Sequence, residues 1–279
     1  MNSGDFINKQ TVKLICDLIK IKCSCVKRRP LIHSVEECVE NILKVLKTGQ
    51  QWYTLGNGYS TYHKRFCEWS DKEVFSEAFY LLQKIPNFAN SMGTSFSIDS
   101  CVIRNKCGRE DISYCYKIKC KRSVKMTIIV GDNGLPVSLN VSKSSVHDIK
   151  FVYPALSKIK LRTRKIKTLI GDKGYQKIDF RKELSKRKIN YLYGQKENTK
   201  KPFIMNDKEQ KLFNNRFRVE GTFSTLLSNR RLNVRYEQKT KHFESFIYIA
   251  MIDMICKTLD TLKENKNNIV KKIKITLKK

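Results

Sequence analysis

The sequence predicts an α/β protein: a core built on a mixed sheet, preceded by a small helical segment. Three observations predict it. Apolar residues recur at helical spacing over roughly the first ninety residues, and from about residue 94 the texture becomes strand-like. Gly131-Asp132-Asn133-Gly134 separates two apolar runs, a strong hairpin signal. Beyond it, short apolar runs alternate with helical stretches, as in a sheet covered by helices.

Each element has a local reason. Val12, Ile15, Leu18 and Ile19 form one apolar face of a first helix. Ser34 followed by Glu37 is a capping-box pattern that opens a helix over 35–47, with Val39, Ile42, Leu43 and Leu46 inward and Thr48-Gly49 closing it. Gly56-Asn57-Gly58 is a turn before a helix over 59–69, and Ser70 can cap another over 71–83 that Pro86 stops. The basic, aromatic stretch Tyr59, Tyr62, His63, Lys64, Arg65 and Phe66 suits a helix-turn-helix-like DNA reader, with a plain helical bundle as the alternative. Trp52 and Trp69 read as core.

The core begins with a strand over 95–103 and the hairpin strands 124–130 and 135–141. Ser144 or Ser145 can cap a helix over 147–158, with His147-Asp148 read as part of that capping. A short buried strand over 166–170 ends at Gly171-Asp172. A helix over 176–187, a strand over 189–193, a polar loop over 196–207 and a helix over 208–229 follow. The stretch 243–262 is apolar nearly all round, so it reads as a buried helix. The domain boundaries expected are 1–90 helical, 91–262 core and 263–279 a lysine-rich tail.

Composition narrows the function. Of 279 residues, 41% are hydrophobic, enough for a packed core. Lys and Arg number 56 against 26 Asp and Glu, a formal net charge of +30 spread along most of the chain. Solubility does not require so large a field, whereas phosphate neutralisation on nucleic acid does. No apolar stretch is long enough for a membrane helix and no signal-peptide pattern opens the chain, so a reducing compartment is expected. The ten cysteines, including Cys101, Cys107, Cys115, Cys120 and the Cys23-Ser24-Cys25 pair, match no zinc-ligand spacing and read as free thiols.

Against that basic background three carboxylates stand out: Asp99 in F-S-I-D-S, Asp172 in L-I-G-D-K-G-Y and Glu220 in F-R-V-E-G-T-F. If the strands carrying Asp99 and Asp172 are neighbours, their carboxylates converge at one edge, and the helix can bring Glu220 alongside. Carboxylates so close need cations to ionise together, and oxygen-only ligands favour Mg²⁺ or Mn²⁺. Two such ions stabilise the attacking and leaving oxygens of a phosphodiester. Arg216 lies one helical turn before Glu220, where it would orient a phosphate or form an i,i+4 ion pair. Lys173, Arg230, Arg231 and Arg235 are candidate phosphate contacts.

The chain resembles the DDE transposases of bacterial insertion sequences, most closely the insertion sequence five group, over about residues 34–260. The N-terminal stretches I-L-K-V-L-K-T-G-Q-Q-W (42–52) and Y-S-T-Y-H-K-R-F-C-E-W (59–69) resemble that family's helical opening. I-D-S (98–100) is similar to the first catalytic box, L-I-G-D-K-G-Y (169–175) to the second and R-F-R-V-E-G-T-F (216–223), continued by N-R-R-L-N-V-R-Y-E (229–237), to the third. G-L-P-V-S-L-N-V-S (134–142) with V-H-D (146–148) resembles the segment between the first two boxes.

The resemblance implies a ribonuclease-H-like catalytic core behind a helix-turn-helix-like N-terminal domain that binds DNA ends. It implies Asp99, Asp172 and Glu220 as the triad binding two Mg²⁺ (or Mn²⁺) ions, cleavage at terminal inverted repeats, and strand transfer into target DNA. It further implies double-stranded DNA as partner, a homodimer in the end complex, no membrane, and a cytoplasmic, nucleoid-associated location in a bacterium, or the nucleus or another DNA-containing compartment in a eukaryotic or viral setting. Two positions depart from the family's third box: Phe213 stands where Tyr is usual and Leu227 where Lys is usual. The loss of that cation motivates the alternative, a transposase-derived DNA-binding protein without full catalysis.

Overall fold

The computed structural model describes residues 7–23, 32–116, 118–161, 166–195, 199 and 202–261. The tail over 263–279 and Cys25 lie outside the described residues. The helices are α1 (Lys9–Cys23), α2 (Val35–Thr48), α3 (Tyr59–Asp71), α4 (Val74–Leu82), α5 (Pro86–Ser91), α6 (Val152–Ser157), α7 (Ile178–Lys186), α8 (Asp207–Asn214), α9 (Arg218–Leu227) and α10 (Thr240–Thr261). The strands used below are β1 (Ser95–Asn105), β2 (Ser113–Cys115), β3 (Cys120–Val130), β4 (Pro136–Lys143), β5 (Thr168–Gly171) and β6 (Asn190–Tyr193).

Packing divides the chain into two compact units. One holds residues 1–85, 106–110 and 226–279; the other holds 86–105 and 111–225. The last long helix, α10, therefore groups with the N-terminal helices, although the sequence places it with the 91–262 core.

In the helical unit, Ser34 caps α2 by accepting the Glu37 amide at 3.0 Å. The Glu37 carboxylate is engaged elsewhere, taking the Tyr62 hydroxyl at 2.6 Å and facing His33 at 3.0 Å. The capping-box pattern is thus used on its serine side. Gly49, at φ 70°, ends α2 in the left-handed conformation that glycine adopts without strain. α10 buries Phe243, Phe246, Ile247, Ile249 and Met251 completely. Phe246 stacks on Phe66 of α3 with centroids 4.3 Å apart, and Trp52 joins the same aromatic cluster. Asp253 of α10 is buried and holds the Lys47 ammonium at 2.5 Å and the Thr11 hydroxyl at 3.1 Å.

The second unit is a mixed sheet with helices, as the alternation of elements predicts. β3 pairs antiparallel with β1 on one side and with β4 on the other, while β1–β5 and β5–β6 are parallel. β2 pairs with the outer end of β3. The 131–134 turn joins β3 to β4 where the sequence puts it, with Gly134 at φ 76°. Of the elements named above, the short edge strand β2 and the helix α5 go beyond the sequence reading; Pro86 follows the end of α4, as expected, and also opens α5. Proline suits a first helical position, where its missing N–H is unpaired in any case. The helix read over 208–229 is α8 and α9, joined by a 3-10 turn at Asn215–Phe217.

Candidate active site

The parallel pairing of β1 with β5 sets the site. Ser95, Phe96 and Ser97 lie opposite Thr168, Leu169 and Ile170. Continuing that register by two residues brings Asp99, the fifth residue of β1, beside Asp172, the first residue after β5. The condition attached to these two carboxylates in the sequence, that their strands be neighbours, is met.

Local hydrogen bonds fix both groups. Asp99 Oδ1 accepts the Ser100 amide at 2.8 Å. Asp172 caps the 3-10 turn Lys173–Tyr175, its Oδ1 accepting the Gly174 amide at 2.8 Å. A Cβ at position 174 would stand 3.0 Å from Asp172 Oδ1 and 3.6 Å from Asp148 Oδ2, so glycine keeps the space between two carboxylates open. Beneath them Tyr175 is buried, its hydroxyl 2.8 Å from Ser100 Oγ, which lies 2.7 Å from Thr127 Oγ1. Burial holds the Tyr175 phenol far above its usual range, so it stays protonated and can serve as a donor in this chain.

Electrostatics mark Asp99 as the strained member. Burial pushes its carboxyl up to about 6; the Ser100 amide opposes this, Asp172 raises it further, Arg216 lowers it and Asp148 raises it. The carboxylate is therefore a buried charge that its neighbours compensate only in part. Asp99, Asp172, Asp148 and Ser100 offer carboxylate and hydroxyl oxygens. A hard divalent cation would relieve both the desolvation and the like-charge repulsion, so the chemistry of these oxygens suits one, although their spacing is not closed around it.

The sequence suggests for Asp148 only a part in a helix cap. His147 does cap the 3-10 turn that begins at Asp148, its Nδ1 accepting the Ile149 amide at 3.4 Å. The Asp148 carboxylate, however, faces the pair of aspartates and is held by Lys125 Nζ at 2.7 Å. Lys125 is itself buried in β3 and also donates to the Val146 carbonyl at 2.6 Å. A lysine in the middle of a buried strand was the available signal for an acidic partner nearby.

Glu220 sits in the first turn of α9, more than half exposed, and pairs with Arg216 at 3.2 Å. Asp99 and Asp172 are brought together; Glu220 is not closed onto them, and among the described residues no three His, Cys, Asp or Glu side chains cluster tightly enough to hold a metal ion. Arg216 links the two parts, since it acts on Asp99 and pairs with Glu220.

The candidate phosphate contacts divide. Lys173 and Arg230 are exposed. Arg235 and Arg231 are not available to DNA, which corrects the sequence reading. Arg235 is fully buried and donates to the carbonyls of Glu237 (2.9 Å), Glu110 (2.8 Å) and Gln238 (3.0 Å). Arg231 is buried in an ion pair with Glu237 at 2.8 Å, over the Tyr236 ring. Both guanidinium groups staple the segment before α10 instead of meeting solvent.

The family model described as transposase DDE domain matches residues 91–254. The chain belongs to this family. DNA transposition is accordingly the activity of this transposase domain, and divalent metal ions are the general cofactor of DDE transposases. No curated protein matches the chain. Among solved structures, the cryo-EM structure of a piggyBac transposase synaptic complex with hairpin DNA is similar at a TM-score of 0.45 and 9% identity, over 98% of this chain and 78% of that one. Among the described residues of the transposase, no helix is long and apolar enough to cross a membrane.

Proposed function

We propose that this DDE transposase hydrolyses the phosphodiester at the terminal inverted repeats of its element and joins the freed 3′-hydroxyl to target DNA. The observation that carries the proposal is the register of β1 on β5, which sets Asp99 beside Asp172 in a domain of the transposase family. Asp99 and Asp172 would hold Mg²⁺, with Glu220 as the third carboxylate. Bound divalent ions supply a lowered pKa for the attacking water and charge stabilisation at the leaving oxygen.

The remaining roles belong to the protein. The Tyr175–Ser100–Thr127 hydroxyl chain holds the floor on which Asp99 stands. Lys125 fixes Asp148 and so sets the charge facing the two aspartates. Arg216 keeps Glu220 in place by their ion pair, and Glu220 exchanges that pair for the reaction centre when DNA arrives. Exposed Lys173, next to Asp172, takes a phosphate of the bound strand.

The strand arrangement, three antiparallel strands followed by two parallel ones, supports a ribonuclease-H-like core. The boxes around Asp99, Asp172 and Glu220 support membership of the insertion sequence five group. The helical N-terminal segment is assigned to end binding, and a homodimer to the paired-end complex. A second reading, DNA binding without strand cleavage, is favoured by the exposed, Arg216-paired Glu220 and by Leu227. A cleavage assay on duplexes carrying the inverted repeats that flank the gene decides between them. Wild type should nick and join with Mg²⁺, while Asp172→Asn should bind the ends and do neither. Cleavage retained by Asp172→Asn would remove the reaction centre from this site.

A further inference from the structure

The hairpin formed by β2 and β3 has features that neither the core nor the acidic site uses. Its base is fixed. Ser113 Oγ lies 2.9 Å from Ser144 Oγ and accepts the Ser145 amide at 2.8 Å, and Ser123 Oγ lies 2.7 Å from Ser144 Oγ. Ser123 also donates to the Ser113 carbonyl at 3.1 Å. Ser144, a possible helix cap by sequence, thus anchors this hairpin.

Its outer end is exposed and apolar at once. Tyr116 is 83% exposed, Ile118 40% and Tyr114 37%. The rings of Tyr114, in β2, and Tyr116, in the turn that follows it, meet edge to face at 4.7 Å. Cys115 between them points inward and is buried. Large apolar groups left in water without a packing role mark a contact surface. Around them Lys119, Lys121 and Arg122 are exposed, and the sequence holds no Asp or Glu from 112 to 131. Tyrosines among cations, with no acidic residue in the hairpin's own sequence, match a phosphate backbone. Arg and Lys neutralise phosphates, and tyrosine hydroxyls bond phosphate oxygens while the rings cover deoxyribose.

The register gives the distance. Asp99 lies opposite Ile128 of β3, and Lys121 lies seven residues further along that strand. At about 3.4 Å per residue that is about 24 Å, or about 7 base pairs of duplex. We infer that the β2–β3 hairpin is a second DNA contact, gripping the backbone of double-stranded DNA about seven base pairs from the phosphate at Asp99 and Asp172. The location rests on the proposed reaction centre; the grip itself does not.

The test measures affinity of the full chain for a duplex of arbitrary sequence without Mg²⁺, between about 50 and 200 mM salt. The variants are Lys119→Ala/Lys121→Ala/Arg122→Ala and Tyr114→Ala/Tyr116→Ala, each checked for an unchanged melting temperature. The triple variant should lower the slope of log affinity against log salt by about 2–3, since each phosphate contact contributes about 0.9. The tyrosine variant should weaken binding several-fold with a smaller change in slope. Duplexes of about 8 base pairs should lose affinity relative to about 20 more steeply in wild type than in the triple variant. Unchanged slopes in both variants, or wild-type binding to anionic lipid vesicles in preference to DNA, would overturn the inference. A length dependence identical in wild type and triple variant would overturn the location. Because cleavage is not read, failure here is separate from failure of the Asp172→Asn assay.

Discussion

Asp99→Asn should make the metal-free protein more stable while abolishing its activity. Asparagine keeps the oxygen that accepts the Ser100 amide and removes the charge that burial and Asp172 penalise. A rise of the Asp99 carboxyl from its ordinary 3.8 to about 6 corresponds to about 3 kcal/mol of cost on the folded state; allowing for partial solvent access leaves about 2–3 kcal/mol. The sign follows from linkage. The folded value is raised, so the cost is absent below about pH 3.8, grows up to about pH 6 and is complete above it. For a chain of this size, the variant should melt roughly 4–8 °C above wild type at pH 7.5 in EDTA. The difference should shrink towards zero near pH 4, as read by calorimetry or circular dichroism on both proteins. Added Mg²⁺ should raise the wild-type midpoint and leave the variant unmoved. An unchanged or lowered midpoint at pH 7.5, or a gap that persists at pH 4, would refute the claim that Asp99 is an uncompensated buried charge.

Two further outcomes follow from the same geometry. Arg235→Ala should unfold or severely destabilise the protein, by about 3–5 kcal/mol, because it leaves buried carbonyls and a cavity, whereas Arg230→Ala should leave the melting temperature within about 1 °C and reduce the salt slope of DNA binding by about 1. Asp148→Asn should cost about 2–3 kcal/mol by stranding buried Lys125, and the double variant Asp148→Asn/Lys125→Met should recover most of that loss, as a double-mutant cycle on the melting free energies would read.

The legible parts of the fold were those with local causes. The 131–134 turn was readable because glycine and Asp-Asn dictate a tight reversal, and α2 because Ser34 and Gly49 mark its ends. α10 was readable as buried because it is apolar all round, but its partners were not, since grouping with α1–α4 is a long-range outcome. β2 was missed because three residues, one of them an exposed tyrosine, carry no alternation. In the site, Asp99 and Asp172 stand at strand ends, the resemblance to the family's boxes singles them out among the acidic residues, and the register makes their strands neighbours. Asp148 was hidden behind a plausible cap, because its role depends on Lys125, 23 positions earlier in the sequence. Arg231 and Arg235 were misplaced for a related reason. An arginine in a basic chain reads as exposed, and what buries it here is Glu237 together with the Glu110 carbonyl, far away in sequence.

The central claim is that Asp99 and Asp172 share a cation. Anomalous diffraction from crystals soaked in Mn²⁺ tests it most directly. A manganese peak is expected in contact with both carboxylates, with Glu220 released from Arg216 when DNA is present. A fully occupied peak elsewhere, with none at Asp99 and Asp172 in a protein that cleaves DNA, would contradict it.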